Sequence, residues 1–330
     1  MAKDETTVTV DGQEVRVSHP DKVLFPAQGW TKMDVVEHFL GCAPGAVRAV
    51  YGRPCTLKRW PDGVEGDPFY LRRTKPSADV ETVRVAFASA QPGPMWVPRG
   101  AADLVRMAQL GCIDLNPWPS RAEDPDHPDE LRIDLDPTPG YDFDDARAVA
   151  AVVRDVLEED GLTGWPKTSG NRGIHVYVRI DPRWTFEEVR RAALAIAREA
   201  ERRHPAATTA WWKEERDGVF CDFNQMARDK TIASAYSVRQ TGWVSTPFTW
   251  DELDDVRPEE FPLDRFPARW ADVGDVHVAM EEFADHLGPT IERVLADEEA
   301  GLGDAPWPPH YPKMPGEPPR VSPSRARSES

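Results

Sequence analysis

The sequence predicts an α/β protein in which helices cover a β-sheet. Three segments, at 131–137, 173–180 and 218–224, alternate apolar and polar residues with the period of β-strands. Two segments between them, at 142–160 and 185–203, have the apolar spacing of helices. This alternation of strands and helices is typical of a layered core whose sheet is covered on at least one face.

Turn and capping signals predict the elements of the N-terminal part. Residues 7–17 predict a β-hairpin, because Asp11 and Gly12 form a common two-residue turn between two segments of alternating apolar residues. A short helix at 31–40 should follow, because Thr31 is a favourable residue at a helix start.

The two longer helices have recognisable ends. Acidic residues open the helix at 142–160, where they favour the positive end of the helix dipole, and Gly161 follows its last turn. Thr185 and Glu188 form the pattern of a capping box at the start of the second helix. Pro205 then stops that helix, since proline cannot continue the hydrogen-bond pattern.

The composition favours a globular protein and argues against a membrane protein. The 330 residues are 40% hydrophobic and include 12 tryptophans. No segment has the roughly 18–20 apolar residues of a membrane span, and the N-terminus lacks the apolar stretch of a secretory signal. The four cysteines are scattered, as expected for reduced thiols. We therefore expect a cytoplasmic protein without membrane contact.

The net charge of −17 is distributed unevenly along the chain. Residues 251–304 contain 17 acidic and 4 basic side chains, whereas residues 46–75 contain 7 basic and 3 acidic ones. A local basic strip can bind phosphates while an acidic remainder keeps the molecule soluble. The charge therefore neither excludes nor establishes a nucleic-acid partner.

The expected layout is one body at 1–304, with two lobes around a cleft as the alternative, followed by a tail at 305–330. A helical, acidic region is expected near the end of the body, at about 275–299. Eight prolines at 305–325 predict an extended or disordered tail, unless it packs on the body.

Asp134 and Asp136 are the most informative pair of residues. They lie at alternate positions of the strand at 131–137, so both carboxylates point to one face, roughly 6–7 Å apart. Pro137 ends the strand. Two like charges at this distance repel each other unless a cation lies between them.

Two further segments can complete a site with this pair. The loop at 169–175 contains Ser169 and two glycines, so its backbone N–H groups could approach phosphate oxygens, and His175 follows on the polar face of its strand. Asp222, on the same strand face as Asn224, could supply a third carboxylate. Each piece alone has an ordinary explanation, as a solvated turn, a structural histidine or a simple loop. Together, the three carboxylates and phosphate donors favour phosphoryl or nucleotidyl transfer with two hard cations.

These motifs resemble those of the archaeo-eukaryotic primase superfamily, and more closely the polymerase domain of bacterial ligase D, which acts in non-homologous end joining. The resemblance rests on residues 131–140, 167–175, 219–225 and 236–239, and extends from about 18 to 325. It implies a stand-alone polymerase of the primase-polymerase fold. That fold has a central RRM-like antiparallel or mixed sheet and a second, N-terminal α/β module beside a catalytic cleft.

The resemblance implies a role for each matching residue. Asp134, Asp136 and Asp222 would be catalytic and hold two divalent ions, Mn²⁺ or Mg²⁺. Two lysines, Lys22 and Lys32, would bind the 5′-phosphate at the edge of a gap, and Phe69 and Tyr70 would stack on the template. The incoming NTP or dNTP would be contacted by Ser169, Arg172, His175, Gln225, Lys230, Arg239 and Asn116.

Ordinary alternatives remain for some of these residues. Lys22 and Lys32 could be surface lysines, Phe69 and Tyr70 could be core aromatics, and Arg239 could be a structural ion-pair partner.

Two positions depart from the family pattern. Asn116 stands where these domains usually carry a histidine near the nucleotide, and asparagine is a poorer metal ligand. Arg172 replaces a more usual lysine, which keeps the charge but changes its geometry.

The function implied is a template-directed DNA or RNA polymerase that fills short gaps or extends ends in DNA break repair, with ribonucleotides as candidate preferred substrates. Its partners would be gapped or broken DNA, nucleoside triphosphates, the end-binding protein Ku and a separate ligase, in the nucleoid. The alternatives are a metal-dependent nuclease or phosphodiesterase, for which His175 is the obvious base, and a catalytically weak DNA end-binding module.

Overall fold

The N-terminal part of the chain forms a small sheet with three helices. The computed structural model describes residues 4–88 and 90–320. The elements of this part are β1 (Glu5–Val10), β2 (Gln13–Ser18), β3 (Val23–Phe25), β4 (Trp30–Thr31), α1 (Lys32–Gly41), α2 (Ala43–Val50), β5 (Cys55–Arg59), β6 (Phe69–Leu71), β7 (Thr82–Val85), β8 (Gly93–Trp96), α3 (Ala101–Gln109) and β9 (Leu115–Pro117). The sheet has the order β6-β5-β8-β7, and β9 also pairs with β5.

The predicted hairpin is confirmed as β1 and β2. Asp11 and Gly12 form its turn, both with positive φ, as a tight turn between twisted strands requires. Buried side chains of α1 and α3, such as Phe39 and Val105, form one core with Tyr236 and Phe266 from much later in the chain. The chain therefore returns to its N-terminal part after completing the central sheet.

The central sheet lies in the second half of the chain. Its elements and the helices around them are β10 (Glu130–Pro137), α4 (Phe143–Glu159), β11 (Gly164–Thr168), β12 (Ile174–Arg179), α5 (Phe186–Arg203), β13 (Ala207–Thr208), β14 (Val219–Asp222), α6 (Phe266–Val273) and α7 (Gly288–Glu299). The strand order is β11-β12-β10-β14-β13. All pairs are antiparallel except β13 with β14, which is parallel, so the predicted antiparallel or mixed sheet is confirmed.

Helices α4 and α5 cover one face of this sheet. Leu131, Ile133 and Leu135 of β10 form one buried core with Val153 of α4 and Ile196 of α5. The predicted alternation of β10 is therefore confirmed, because its apolar side chains face the helices. The helix starts are also as expected, since capping boxes open α1, α4 and α5 at Thr31, Asp142 and Thr185.

Two predicted segments differ from the structure. The strand expected at 218–224 ends at Asp222, and a short 3₁₀ turn, Phe223–Met226, follows it. Asn224 therefore does not share the strand face of Asp222; its Oδ1 accepts a hydrogen bond from buried Arg190 at 2.7 Å. The acidic region predicted to be helical at 275–299 is divided into two elements. A 3₁₀ turn, Val278–Glu282, comes first, and α7 begins separately at Gly288 and Pro289.

The described part of the proline-rich tail packs on the body. Trp307, Tyr311 and Glu317 are buried, and the Arg190 guanidinium lies 4.1 Å from the centre of the Trp307 ring. Residues 305–320 of the tail are thus ordered by contact with α5. Residues 321–330 lie outside the described residues. The domain boundary at 304 stays a prediction. No helix in the described ranges is long and apolar enough to span a bilayer.

A buried ionic network links the N-terminal part to the first residues of β10. Arg53 donates to Asp129 Oδ1 and Glu130 Oε1, each at 2.5 Å. The Asp129 carboxylate also accepts a hydrogen bond from Arg121 and forms an ion pair with Arg179, whose Nη1 lies 2.7 Å from Oδ2. Burial alone would raise the pKa of Asp129, but the neighbouring arginine charges lower it to about 2. The network therefore keeps its carboxylates ionised inside the protein.

Replacing Arg53 should destabilise the protein strongly. We expect Arg53→Met to lower the free energy of unfolding by about 3 kcal/mol, because it leaves buried carboxylates with fewer counter-charges. Urea unfolding followed by tryptophan fluorescence measures this loss. The matched control is Arg16→Met, since Arg16 lies 3.6 Å from Glu5 on the exposed hairpin and should contribute less than about 1 kcal/mol. Equal losses in both variants would contradict the assignment.

Candidate active site

Four polar side chains lie in one row across the central sheet. The register pairs Lys167 of β11 with His175 of β12. It pairs His175 with Asp134 of β10, and Asp134 with Asp222 of β14. Directly opposed residues point to the same face of a sheet. The apolar neighbours of Asp134 occupy the other face, beneath α4 and α5, so the polar row faces away from that core.

Asp134 and Asp222 are close enough to share one donor. The Nε2 group of Gln225 donates to Asp134 Oδ2 at 3.2 Å and to Asp222 Oδ2 at 3.1 Å. Asp136 lies two residues further along β10, on the same strand face, and is exposed. Gln225, predicted to contact the nucleotide, thus bridges two of the predicted metal ligands.

The three carboxylates repel one another. Burial raises the pKa of Asp134 to about 8, and the negative charges of Asp136 and Asp222 add to this increase. Burial also raises the pKa of Asp222. A cation beside these oxygens would offset the repulsion and favour their ionised forms. The electrostatics of the site therefore favour binding of positive charge.

The donor chemistry of the site fits a hard cation, although the side chains are not gathered around one point. Within residues 4–88 and 90–320, no group of three or more His, Cys, Asp or Glu side chains has the arrangement of a metal site. The Gln225 amide hydrogens instead occupy the space between Asp134 and Asp222. Oxygen ligands of this kind suit Mg²⁺ or Mn²⁺.

His175 is enclosed on both sides of its ring. Its Nε2 lies 3.3 Å from Asp134 Oδ1, and its Nδ1 lies 2.7 Å from Lys167 Nζ. Burial lowers the pKa of His175 well below its usual value, and the nearby charges of Lys167 and Arg239 lower it further. His175 is therefore a neutral imidazole in the row.

The loop at 169–175 is stabilised by its own serine. Ser169 Oγ accepts hydrogen bonds from the backbone N–H groups of Asn171 and Gly173, at 3.2 and 3.1 Å. These two N–H groups are thus already paired, in contrast to the expected nest of free donors. Arg239 Nη1 donates to the Ser169 carbonyl at 2.7 Å, which places the Arg239 side chain beside this loop.

The remaining predicted nucleotide contacts are Arg172, Lys230 and Asn116. Arg172 is exposed on the loop itself. Lys230 lies close enough to Asp222 for its charge to oppose the raised pKa of that carboxyl group. Asn116 is buried in β9 and donates to the carbonyl of Asp114 at 3.3 Å.

Asp114 and Lys167 are site residues that the sequence interpretation missed. The buried carboxylate of Asp114 lies 3.1 Å from Lys58 and 3.8 Å from Arg239. It therefore holds two cationic side chains at a cavity of about 230 Å³ that Asn171 also lines. Lys167 lies in one of the quoted motifs, but only the register of β11 shows that it meets His175.

Lys22 and Lys32 lie together, as predicted. They line one cavity of about 230 Å³ with Arg59, Ser18 and Gln109, and no acidic side chain is among its described lining residues. Lys32 Nζ donates to the Ser18 carbonyl at 2.6 Å. Burial lowers the pKa of Lys32, and the charge of Lys22 lowers it further. The cationic lining of this cavity is compatible with the predicted role in binding a phosphate, which stays a prediction.

Phe69 and Tyr70 are on the surface, which rules out the core-aromatic alternative. Their exposed fractions are 53% and 57%. Tyr70 lines a cavity of about 320 Å³ with Arg72 and Arg73. Exposed aromatic rings beside arginines are suited to stacking on bases along a phosphate backbone.

Comparison with known proteins identifies the family. The model of the LigD primase-polymerase domain matches residues 31–277, well over half of the chain. The chain belongs to the LigD primase-polymerase domain family. This confirms the resemblance, and it places the chain in a nucleotidyltransferase family that uses nucleotides and divalent metals.

Individual members of the LigD family agree with this assignment. The multifunctional non-homologous end joining DNA repair protein LigD of Mycobacterium tuberculosis is 33% identical over 285 residues, which is 80% of this chain and 36% of that protein. The LigD protein of Pseudomonas aeruginosa is 30% identical over 297 residues, 88% of this chain and 34% of that protein. The chain therefore spans about a third of the length of these relatives.

A solved structure confirms the primase-polymerase fold. The polymerase domain from Mycobacterium tuberculosis ligase D, in complex with DNA, is similar with a TM-score of 0.75 and 31% sequence identity. The match covers 83% of this chain and 100% of that one. The fold and the enzyme class predicted from the sequence are therefore confirmed, whereas the roles of single residues stay predictions.

Asp134→Asn should stabilise the metal-free protein at high pH. The pKa of Asp134 is raised from 3.8 to about 8, so the folded state holds this proton more tightly than the unfolded chain. The stability contributed by the group is therefore lost as pH rises from about 4 to about 8. With EDTA present, we expect the variant to be more stable than the natural protein above pH 8 by about 2 kcal/mol.

Urea unfolding at several pH values measures this difference, which should shrink towards pH 4. The control is Asp155→Asn, at an exposed position of α4, which should change stability little at any pH. A variant that is no more stable at high pH would contradict the assigned repulsion.

Proposed function

We propose that the protein is a template-directed nucleotidyltransferase that fills short gaps or extends ends during repair of DNA breaks. The observation that supports this proposal most directly is that Asp134 of β10 lies opposite Asp222 of β14. Asp136 is on the same face of β10, and basic loops lie nearby. Membership of the LigD polymerase family supports the same chemistry.

The three carboxylates would hold two ions, Mn²⁺ or Mg²⁺. Bound there, the ions would activate the primer 3′-hydroxyl and offset the charge of the leaving pyrophosphate. Asp134 and Asp222 already face one another, with the Gln225 amide between them. Gln225 would thus exchange its carboxylate partners for other acceptors when cations bind, which agrees with its expected contact to the nucleotide.

The incoming triphosphate would lie between the 169–175 loop and Arg239. Asp114 holds the guanidinium of Arg239 and the amine of Lys58 at the cavity beside this loop. Arg172 on the exposed loop and Lys230 near Asp222 would add positive charge. Such cations favour a polyanion and reduce the repulsion between its phosphates and the three carboxylates.

The DNA would extend from this site towards the N-terminal part. Lys22 and Lys32 would bind a 5′-phosphate at the far edge of a gap, and Phe69 and Tyr70 would stack on template bases. A related polymerase domain is in complex with DNA, which supports this proposal. The relatives act in non-homologous end joining, so Ku and a separate ligase are the proposed partners, in the cytoplasm at the nucleoid.

Asp136→Ala should abolish nucleotide incorporation. On a gapped duplex with a 5′-phosphate, with Mn²⁺ or Mg²⁺ and either NTP or dNTP, we expect the natural protein to lengthen the primer. The variant should be at least about 100-fold slower, because a metal ligand is lost. The control Asp155→Ala removes an exposed carboxylate of α4 and should retain full activity. Primer shortening in place of lengthening would contradict the proposal and favour a nuclease.

The double variant Lys22→Ala with Lys32→Ala should lose its response to the 5′-phosphate. Binding to a phosphorylated gap, measured by fluorescence anisotropy, should weaken about 10- to 100-fold, because two charged hydrogen-bond donors are removed. Extension on an open template should change little. Lys313→Ala, at an exposed lysine outside this cavity, is the control. Equal losses on phosphorylated and unphosphorylated gaps would contradict the pocket assignment.

A further inference from the structure

The start of the tail and the 3₁₀ turn after β14 are joined by one buried side chain, Arg190 of α5. Its Nε donates to Asn224 Oδ1 and its Nη1 donates to Asp304 Oδ1, each at 2.7 Å. Its Nη2 donates to the carbonyls of Ala305 and Pro306 at 3.0 and 3.1 Å. Because a guanidinium is planar and rigid, these bonds fix the turn and the tail relative to each other.

Two further contacts join the tail to the residues that follow this turn. Trp307 and Tyr311 form one buried apolar cluster with Ala227. The hydroxyl of Tyr311 donates a hydrogen bond to the carbonyl of Arg228. The tail segment, which we define as residues 304–311, therefore holds residues 224–228 at both ends. We call residues 224–228 the turn segment.

The turn segment in turn holds both carboxylate oxygens of Asp222. The backbone N–H of Asn224 donates to Oδ1 at 2.9 Å, and Gln225 Nε2 donates to Oδ2 at 3.1 Å. Groups that hydrogen-bond a carboxylate determine its orientation, and in metal sites they also affect the affinity for the metal. The direction of the Asp222 carboxylate therefore depends on the position of the turn segment.

We propose that the tail segment acts through Arg190 and the turn segment as a positioning element for Asp222. This inference rests on the proposed function for the cations that Asp222 would bind, whereas the contacts themselves do not depend on it. The tail segment lies outside residues 31–277, the range that the family model matches. It would contact neither nucleotide nor metal, and its effect would reach the site only through the orientation of this carboxylate.

A tail with a purely structural role would behave differently, and Arg198 of α5 provides the comparison. Its Nη2 donates to the carbonyl of Gly303 at 2.6 Å, and its Nη1 donates to Asp297 Oδ2 at 3.4 Å. Arg198 thus also ties α5 to the chain just before the tail segment, but neither of these partners belongs to the turn segment. Arg198→Met should weaken packing in this region and leave Asp222 in place, so it is the matched control.

Binding of Mn²⁺ to the full chain, without nucleotide or DNA, tests the proposal. Electron paramagnetic resonance of the free ion gives the Kd, and Asp222→Ala shows which part of the affinity depends on this carboxylate. We expect Arg190→Met to weaken that part about 10-fold. Arg198→Met should change it little. Urea unfolding of each variant measures the accompanying loss of stability.

A milder variant tests the same connection if Arg190→Met fails to fold. Asp304→Asn keeps the shape of the side chain but removes the charge that pairs with Arg190. We expect a smaller loss of Mn²⁺ affinity in the same direction. Hydrogen exchange of the turn segment should also be faster, because the bond from the Asn224 N–H to Asp222 opens more often.

Primer extension at increasing Mn²⁺ concentration gives a second measurement. In Arg190→Met the concentration for half-maximal rate should rise about 10-fold, because the metal is bound less tightly. The rate at saturating Mn²⁺ should stay close to that of the natural protein, because all three carboxylates are still present. A loss that excess Mn²⁺ does not restore would contradict the positioning role.

Unchanged Mn²⁺ affinity in folded Arg190→Met, or in Asp304→Asn if the first variant does not fold, would overturn the proposal. An equal loss in Arg198→Met would overturn it as well, because general loosening of the region would then explain the effect. Mn²⁺ binding that Asp222→Ala does not weaken would have the same consequence. If the variants bind Mn²⁺ as expected but the natural protein does not extend primers, the proposed function fails and the positioning role stands.

Discussion

The antiparallel register of β10 with its two neighbours is the constraint on which the site depends. It places Asp134 opposite both His175 and Asp222, so four strands present one continuous polar row. A shift of one residue in either pairing would turn the row towards α4 and α5. The apolar side chains of β10 prevent this, because Leu131, Ile133 and Leu135 must remain in the core. Core packing therefore determines the geometry of the chemistry.

The same arrangement carries an electrostatic cost. Burial raises the pKa of Asp134 to about 8, the charges of Asp136 and Asp222 add to this increase, and the charges of Arg239 and Lys167 only partly offset it. Proteins commonly retain such destabilising clusters where function requires them. Bound cations, together with the basic groups that a polyanionic substrate would neutralise, would reduce the repulsion between like charges in the site. This explains why its two charge types, acidic on the sheet and basic on the loops, are adjacent.

Much of the fold could be predicted because it depends on local signals. Alternating apolar residues identified β10, and Thr31, Asp142 and Thr185 marked the helix starts that the structure confirms. Asp222 was placed correctly, but the 3₁₀ turn after it was not, because Arg190 draws Asn224 away from the strand face. The packing of the tail likewise depends on contacts over more than a hundred residues, which periodicity does not contain.

The site residues that lie within sequence motifs could be named from the sequence. The contacts between different motifs could not. The partnership of Lys167 with His175 follows only from strand register, and the position of Asp114 between Lys58 and Arg239 only from the folded chain. The exposure of Phe69 and Tyr70 could not be judged from their hydrophobicity, because aromatic residues are as common in cores as at binding surfaces.

The packing of the tail on the body affects the order in which contacts can form while the chain is being synthesised. Buried Arg190 connects Asn224, in the turn after Asp222, with Asp304 and with the carbonyl of Pro306. These last partners are made more than a hundred residues after α5, so a growing chain on the ribosome lacks them while its central sheet can already form. The turn that carries Gln225 gains this support only after residues 304–306 have been synthesised. A nascent polymerase domain would therefore acquire the contacts between Arg190 and the tail later than those within its central sheet.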